Sequence, residues 1–265
     1  QCVDLQPVEP AFSYTWADGA RAVLPGSGTG AVAAALGDAL GGTAAEDWKG
    51  LMRHGGEGWR LTRRPVLEAP LAGPRDLLPL LRRPSDLGKV APWRSLRGLG
   101  RSRLRDPRMV TLLDRYATYT GSDPRRAPSA LVTVPYVEQT FGAWHLGGGL
   151  ANLAVALADR LSQRHVDLRL NTEVERITTV AGRVTGVRLT SGEHLAADIV
   201  VANADAGTVY GRLIDDPAAE RPLRELTSAT PSFGGFVLLL ALRGRTPGLA
   251  HHNVWFPADY DAEFD

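Results

Sequence analysis

The sequence predicts a mixed α/β (α+β) fold, and three observations predict it. Behind the glycines Gly147, Gly148 and Gly149, the residues Leu150, Leu153, Ala154, Leu157 and Leu161 fall on one helical stripe. Next, apolar and β-branched runs around Val174 to Ile177 and Val184 to Leu189 are separated by Ala181-Gly182 and closed by Ser191-Gly192, the pattern of a β-meander. Finally, Ile199-Val200-Val201-Ala202 is apolar at every position, as expected of a strand covered on both faces. The flanking residues read as a second domain of antiparallel sheet and helices.

The chain before this stretch opens with a hairpin. Phe12, Tyr14 and Trp16 alternate with Ser13 and Thr15, and Asp18-Gly19 turns the chain into Arg21 to Leu24. Then Gly26-Ser27-Gly28-Thr29-Gly30-Ala31 fits GxGxxA, with an alanine-rich helix behind it and Glu46 further on. A dinucleotide fingerprint needs a buried parallel strand in front, whereas here a hairpin strand and Pro25 precede it. A glycine-rich loop capping a helix is the favoured reading. Residues 49–108 hold 15 Lys and Arg against five acids, with leucines and Trp93 interleaved and prolines at 70, 74, 79, 84 and 92. Short helices broken by proline fit this composition. Two readings stay open: a basic, leucine-rich surface lying on an anionic membrane, or the solvated face of a helical lid. Nucleic acid is not favoured as a partner, because few aromatics interleave.

Met109, Leu112, Leu113, Tyr116 and Tyr119 predict one more helix, ended by Gly121 and Pro124. Within the central stretch, Val166, Leu168 and Leu170 alternate with charged residues as a half-buried strand would. After Asp205 we expect a short helix over 208–213, a polar connection over 217–227, a buried strand over 233–242, and strand residues from His251 to Phe256. No apolar run approaches the ~20 residues of a membrane span. The one cysteine, Cys2, excludes an internal disulfide and a cysteine metal cluster.

GGGLANLAVALADRL, LNTEVERI, GRVTGVRLTSGE and ADIVVANAD together resemble the second half of the FAD-binding domain of the phytoene desaturase family, among the amine-oxidase-like flavoproteins. TYTGSDPRRAPSALVTVPYVEQTFGAW, SFGGFVLLLALRG and LAHHNVWFPADYDAEF are similar to segments of that family's substrate domain. The resemblance implies a partial FAD-binding domain of the two-dinucleotide-binding type at 141–206. Substrate-domain segments are expected at 1–140 and 207–265. The absence of a strand–GxGxxG–helix opening leads us to expect an internal fragment without the pyrophosphate cradle, inactive and weak in FAD binding by itself.

The resemblance also implies site residues. Val174 corresponds to the position whose backbone meets adenine, and Asn203, Ala204 and Asp205 to the strand end beneath the ADP portion. Gly147 and Gly148 either admit flavin or substrate closely or cap the helix. Trp144, His251 and His252 are expected near substrate, a structural histidine pair being the plainer alternative. Adjacent strand residues point to opposite faces, so the pair is not expected to chelate one ion. Asp76 resembles a family aspartate considered for acid–base work at the polyene, but Pro79 stands where the family has arginine, with Arg82 and Arg83 beyond. A carboxylate at a helix N-terminus is the simpler account of Asp76. The implied activity is dehydrogenation or isomerisation of a long apolar, carotenoid-like substrate, with hydride passing to FAD. A flavoenzyme acting on a retinoid or another lipid is one alternative. A non-catalytic prenyl-binding relative, as the Rab GDP-dissociation inhibitors are, is another. The expected location is cytoplasmic, peripheral on the inner face of the membrane in the first reading of the basic segment.

Overall fold

The structure is a computed structural model that describes residues 3–70, 75, 88, 91, 93–244 and 246–265. In chain order these form β1 (Leu5–Pro7), β2 (Phe12–Thr15), β3 (Arg21–Leu24), α1 (Thr29–Leu40), α2 (Ala44–Thr62), α3 (Leu96–Arg103), α4 (Pro107–Thr118), α5 (Thr133–Phe141), β4 (Trp144–Leu146) and α6 (Ala151–Gln163). There follow β5 (Val174–Val180), β6 (Arg183–Leu189), β7 (His194–Ala196), α7 (Ala206–Thr208), α8 (Glu220–Ser228) and β8 (His252–Trp255). Two compact units result, residues 1–153 with 232–265, and residues 154–231.

In the first unit the expected hairpin forms: β2 and β3 pair antiparallel from Phe12 opposite Leu24 to Thr15 opposite Arg21. The Asp18 carboxylate accepts from the Ala20 N–H, and the Gly19 N–H donates to the Trp16 carbonyl, which fixes the turn. The other edge of β2 takes β8 in parallel, Phe12 opposite His252. The sheet is therefore mixed rather than antiparallel, because residues 252–255 return alongside β2 in its own direction. One sheet face, bearing Tyr14, Trp16, Ala22 and Leu24, is buried in a core shared with Leu36, Trp48, Leu51, Leu99, Met109 and Leu113 of the helices.

The helices start where their caps say they should. Ser95 accepts from the Gly98 N–H ahead of α3, and Asp106 accepts from the Arg108 N–H with Pro107 in the first turn of α4. Residues 44–62 hold no proline, and α2 accordingly runs unbroken through the start of the basic segment. The proline-broken part of that expectation falls mostly on residues 71–92, largely outside the described residues, and Asp76 lies there too. Helices α2 and α5 approach closely at two glycines: a Cβ at Gly55 would sit 2.9 Å from the Val132 carbonyl oxygen, and one at Gly56 2.8 Å from the Tyr136 ring.

The GxGxxA loop carries no dinucleotide geometry, since β3 before it is antiparallel and lies at the sheet edge. Instead the loop is clamped by its own chain. The Ala143 N–H donates to the Gly26 carbonyl at 2.9 Å, and the Gly28 N–H donates to the Gln139 carbonyl at 2.7 Å.

In the second unit the meander forms as expected, with β5–β6–β7 antiparallel throughout and turns at Ala181-Gly182 and Ser191-Gly192. Four expectations fail here and beyond. Residues 166–170 form no strand, and Arg169 bridges Asp167 and Glu193 instead. Ile199 to Ala202 is extended but unpaired, with Val201 88% exposed. Residues 233–242 in the first unit likewise form no strand, and Phe236 is 92% exposed. The shared reason is that a strand needs a ladder partner, and none lies beside these runs among the described residues. The supposed polar connection at 217–227 is mostly α8, which follows a turn at Pro217–Ala219 capped by Asp216 and carries the i,i+4 pair Arg221–Glu225.

These contacts make two glycines of the loop unequal. A Cβ at Gly26 would lie 1.9 Å from the Val8 carbonyl oxygen, whereas one at Gly30 meets nothing within 4 Å. Gly26→Ala should destabilise by about 1–3 kcal/mol through overpacking. Gly30→Ala should be neutral or stabilise by up to about 1 kcal/mol. Urea denaturation midpoints of the two variants check the contrast; equal effects would contradict the packing described.

Candidate functional site

The richest arrangement of side chains in the first unit is built on β2, β8 and α4. Parallel pairing sets His252 beside Phe12, and their rings stack at 5.0 Å between centroids. From α4, Arg115 reaches the same rings. Its Nη1 donates to the Tyr14 hydroxyl at 3.1 Å and its Nη2 to the Tyr119 hydroxyl at 2.7 Å. The guanidinium carbon lies 5.0 to 5.6 Å from the ring centres of Phe12, Tyr14, Tyr116 and Tyr119. Behind it the Tyr116 hydroxyl donates to Glu138 Oε1 at 2.6 Å.

Burial governs the protonation of this cluster. It raises Glu138 above the ordinary glutamate range, against the pull of Tyr116 and Arg115, and it raises Tyr14 and Tyr116 so that both remain phenols. Burial, with His251 and Arg115 as neighbouring charges, lowers His252 and keeps it neutral at pH 7.

From His252 a row of rings continues: His251 meets it edge-on at 4.7 Å, and His145 of β4 meets His251 at 5.4 Å. The two adjacent histidines therefore touch rather than pointing to opposite faces. His251 precedes β8 in a bend, where strand alternation does not operate. His145 and His251 face a hollow of about 630 Å³ shared with Pro7, Glu9, Pro10 and Leu249. Among the described residues no group of His, Cys, Asp and Glu has the geometry of a metal site.

The remaining expected residues of this unit sit nearby in sequence. Trp144 opens β4, is 57% exposed, and donates from Nε1 to the Phe141 carbonyl at 2.9 Å. Gly147 and Gly148 form the turn after β4. The space a Cβ would take there is filled by the chain itself, by Asp4 Oδ2 at 2.5 Å from Gly147 and by the Asn152 amide beside Gly148. Asn152 donates to the Gly147 carbonyl at 2.7 Å, so these glycines serve the entry to α6.

In the second unit Val174 begins β5 and lines a hollow of about 380 Å³ with Val187, Leu189, Leu195 and Arg169. Asp167 and Thr172 complete its lining. Asn203 and Ala204 are exposed, whereas the Asp205 carboxylate is engaged, accepting from the Gly207 N–H at 2.8 Å and the Thr208 N–H at 3.3 Å.

Two groups were not singled out by sequence. The Arg115 cluster offered only the spacing of Arg115 and Tyr119, i and i+4 on one helix face. The second is Arg97 with Asp114, both buried, joined at 2.7 Å, with Arg97 also bonded to Asp261. They border an open cavity of about 800 Å³ that Arg101, Arg105, Trp16 and Tyr260 also line. Among the described residues Asp114 Oδ1 has no hydrogen-bond partner.

Comparison with known proteins agrees across most of the chain. The family model for flavin containing amine oxidoreductases matches residues 80–246. The hydroxyneurosporene desaturase of Rubrivivax gelatinosus is 37% identical over 212 residues, 76% of this chain and 37% of that protein. The neurosporene-forming phytoene desaturase of Cereibacter sphaeroides is 31% identical over 260 residues, 95% of this chain and 48% of its own length. The 4,4'-diapolycopene oxygenase of a Methylomonas species is 34% identical over 160 residues, 60% of this chain and 32% of that protein. The chain thus spans less than half the length of these relatives. Among solved structures, a putrescine oxidase variant redesigned in cofactor binding superposes with a TM-score of 0.51 at 16% identity, covering 84% of this chain and 46% of that one. A likeness at that identity shows the fold alone.

The buried aspartate gives a pH signature. Desolvation, partly offset by Arg97, pushes the Asp114 carboxyl up to about 6 from its ordinary 3.8. The folded state then holds a proton that the unfolded chain has released, so this group's contribution falls as pH rises from 3.8 towards 6. Melting temperatures across that window should decline for the native protein relative to Asp114→Asn; parallel curves would contradict the assignment.

Proposed function

The chain belongs to the flavin containing amine oxidoreductase family, and from that premise we propose that it is part of an FAD-dependent oxidoreductase acting on a long, apolar, carotenoid-like polyene. The observation that carries this reading is the aromatic face of the first unit, where His252 stacks on the buried Phe12 and is followed edge-on by His251 and His145, which line the hollow of about 630 Å³. Such a face suits a conjugated chain, and desaturases of such chains are among the relatives. Bound to the protein, FAD supplies the two-electron acceptor that removal of hydrogen from a carbon–carbon bond requires.

The residues of this chain would hold and orient rather than react. The Val174 hollow takes the adenine end, and the exposed backbone at Asn203 and Ala204 contributes beside the Asp205 cap. Gly147 and Gly148 shape the entry to α6. Residues 141–206 would then serve the FAD-binding domain and residues 1–140 and 207–265 the substrate domain. The exposed arginines 53, 60, 63, 64, 101 and 103 support contact with an anionic membrane surface, from which an apolar substrate is drawn. No helix among the described residues is long and apolar enough to cross a membrane.

Purified in detergent, the full-length protein should show flavin absorption bands and release FAD on denaturation. Under the same conditions it should convert a saturated-end polyene to one with a longer chromophore, or to a geometric isomer. A colourless protein that takes up no added FAD would overturn the oxidoreductase reading and favour a lipid-binding relative. A preparation holding FAD but leaving polyenes unchanged would overturn the substrate class.

A further inference from the structure

The cavity of about 800 Å³ in the first unit shares no lining residue with the hollow at His145 and His251. Its walls are α3, α4, the β2–β3 turn and residues 257–261, and its volume is of the size small ligands fill. Four guanidiniums and four carboxylates line it, and they are not equally engaged. Arg97 is bonded to Asp114 and Asp261, and Arg108 to Asp106 and Asp18, so each of these cations already holds two carboxylates. Asp259 accepts from the backbone N–H groups of Asp261 and Ala262. Every carboxylate on the wall therefore has a donor.

Two of the cations do not have their acceptors. Arg101 has neither a hydrogen bond nor an ion pair among the described residues, yet it lies close enough to Asp114 and Asp261 to act on both electrostatically. The Arg105 side chain is 75% exposed, and its Nη1 comes no nearer than 4.0 Å to Asp47. The unmatched charge at the cavity is positive, which suits the oxygens of an anion. Asp114 adds a second requirement. It is 1% exposed, its Oδ2 holds Arg97, and its Oδ1 has no partner among the described residues. A buried carboxylate oxygen left without a donor is costly, and a ligand that supplies one recovers that cost. The arginines thus ask for acceptors and Asp114 for a donor. At neutral pH a carboxylate or a sulfate offers acceptors alone, whereas a phosphate that keeps one hydroxyl offers both on a single centre.

We propose that this cavity binds a phosphate group that retains a proton, with Arg101 and Arg105 on its oxygens and its P–OH donating to Asp114 Oδ1. Inorganic phosphate meets that description, and so does the head of a phosphomonoester lipid as the monoanion. The site is independent of the polyene reading, and no part of the redox chemistry is assigned to it.

The test is calorimetric titration of the full-length protein at neutral pH with sodium phosphate and, separately, with sodium sulfate. Phosphate should bind at least about tenfold more tightly, since sulfate has no proton to give Asp114. Arg101→Gln should weaken phosphate by about tenfold, and Arg101→Gln combined with Arg105→Gln should abolish measurable binding. Both side chains are exposed, so these variants keep the fold. Asp114→Asn should bring phosphate and sulfate within about twofold of each other. The arginine variants keep the test open should Asp114→Asn misfold. A second arm uses phosphatidylcholine vesicles with and without phosphatidate. Retention on phosphatidate vesicles that free phosphate displaces and Arg101→Gln loses identifies a lipid headgroup as the source. Calorimetric binding of phosphate without such retention identifies the free ion. No binding of phosphate, equal binding of phosphate and sulfate, or phosphate binding untouched in the double arginine variant would overturn the proposal.

Discussion

The parallel pairing of β8 with β2 is the constraint on which the first unit depends. It joins residues 252–255 to residues 12–15, across more than two hundred residues of sequence. Once that ladder exists, Phe256 packs against Tyr14 and Trp16, and Tyr260 and Phe264 pack in turn. The same return brings Asp261 to Arg97 and Asp265 to Arg125. Hydrophobic burial supplies most of the gain, but the ladder decides which apolar residues meet. It also decides the site, since His252 stacks on Phe12 only because the two share a register position.

The second unit shows the same rule from the other side. Its meander closes through local turns, where Ala181, Gly182 and Gly192 accept positive φ, and each strand finds its neighbour a few residues away. Ile199 to Ala202 is more apolar than any strand of that meander, yet it remains exposed, because hydrophobicity alone does not satisfy backbone donors and acceptors. Residues 233–242 repeat the lesson. Wholly apolar runs signalled a wish for burial on both faces, which is a statement about partners the run itself does not contain.

This explains what was legible in the sequence. The Asp18-Gly19 hairpin and the meander turns were readable because their causes lie within four or five residues. The family was readable because its motifs are contiguous. The parallel direction of β8 was not, since neither strand encodes its partner. The mutual geometry of the histidine pair was not legible, because β8 begins at His252, one residue later than strand alternation assumed. The Arg115 cluster was invisible for a further reason: Tyr14 is 101 positions from Arg115, and Glu138 is 22 from Tyr116.

Asp114 and Arg115, neighbours on α4, show two ways in which one helix fixes an arginine. Asp114 turns inward to Arg97, and the two form a buried ion pair at 2.7 Å. Removing one partner of such a pair strands a charge at low dielectric, so both are fixed by cost. One residue on, the rotation of the helix turns Arg115 towards β2, where its nearest polar atoms are neutral phenols. Coulomb attraction to Glu138 acts at a distance and steadies the charge without consuming its hydrogen bonds. Arg97 is fixed by two carboxylates, Asp114 and Asp261. An arginine balanced across a phenol keeps its charge and its orientation without a direct carboxylate bond.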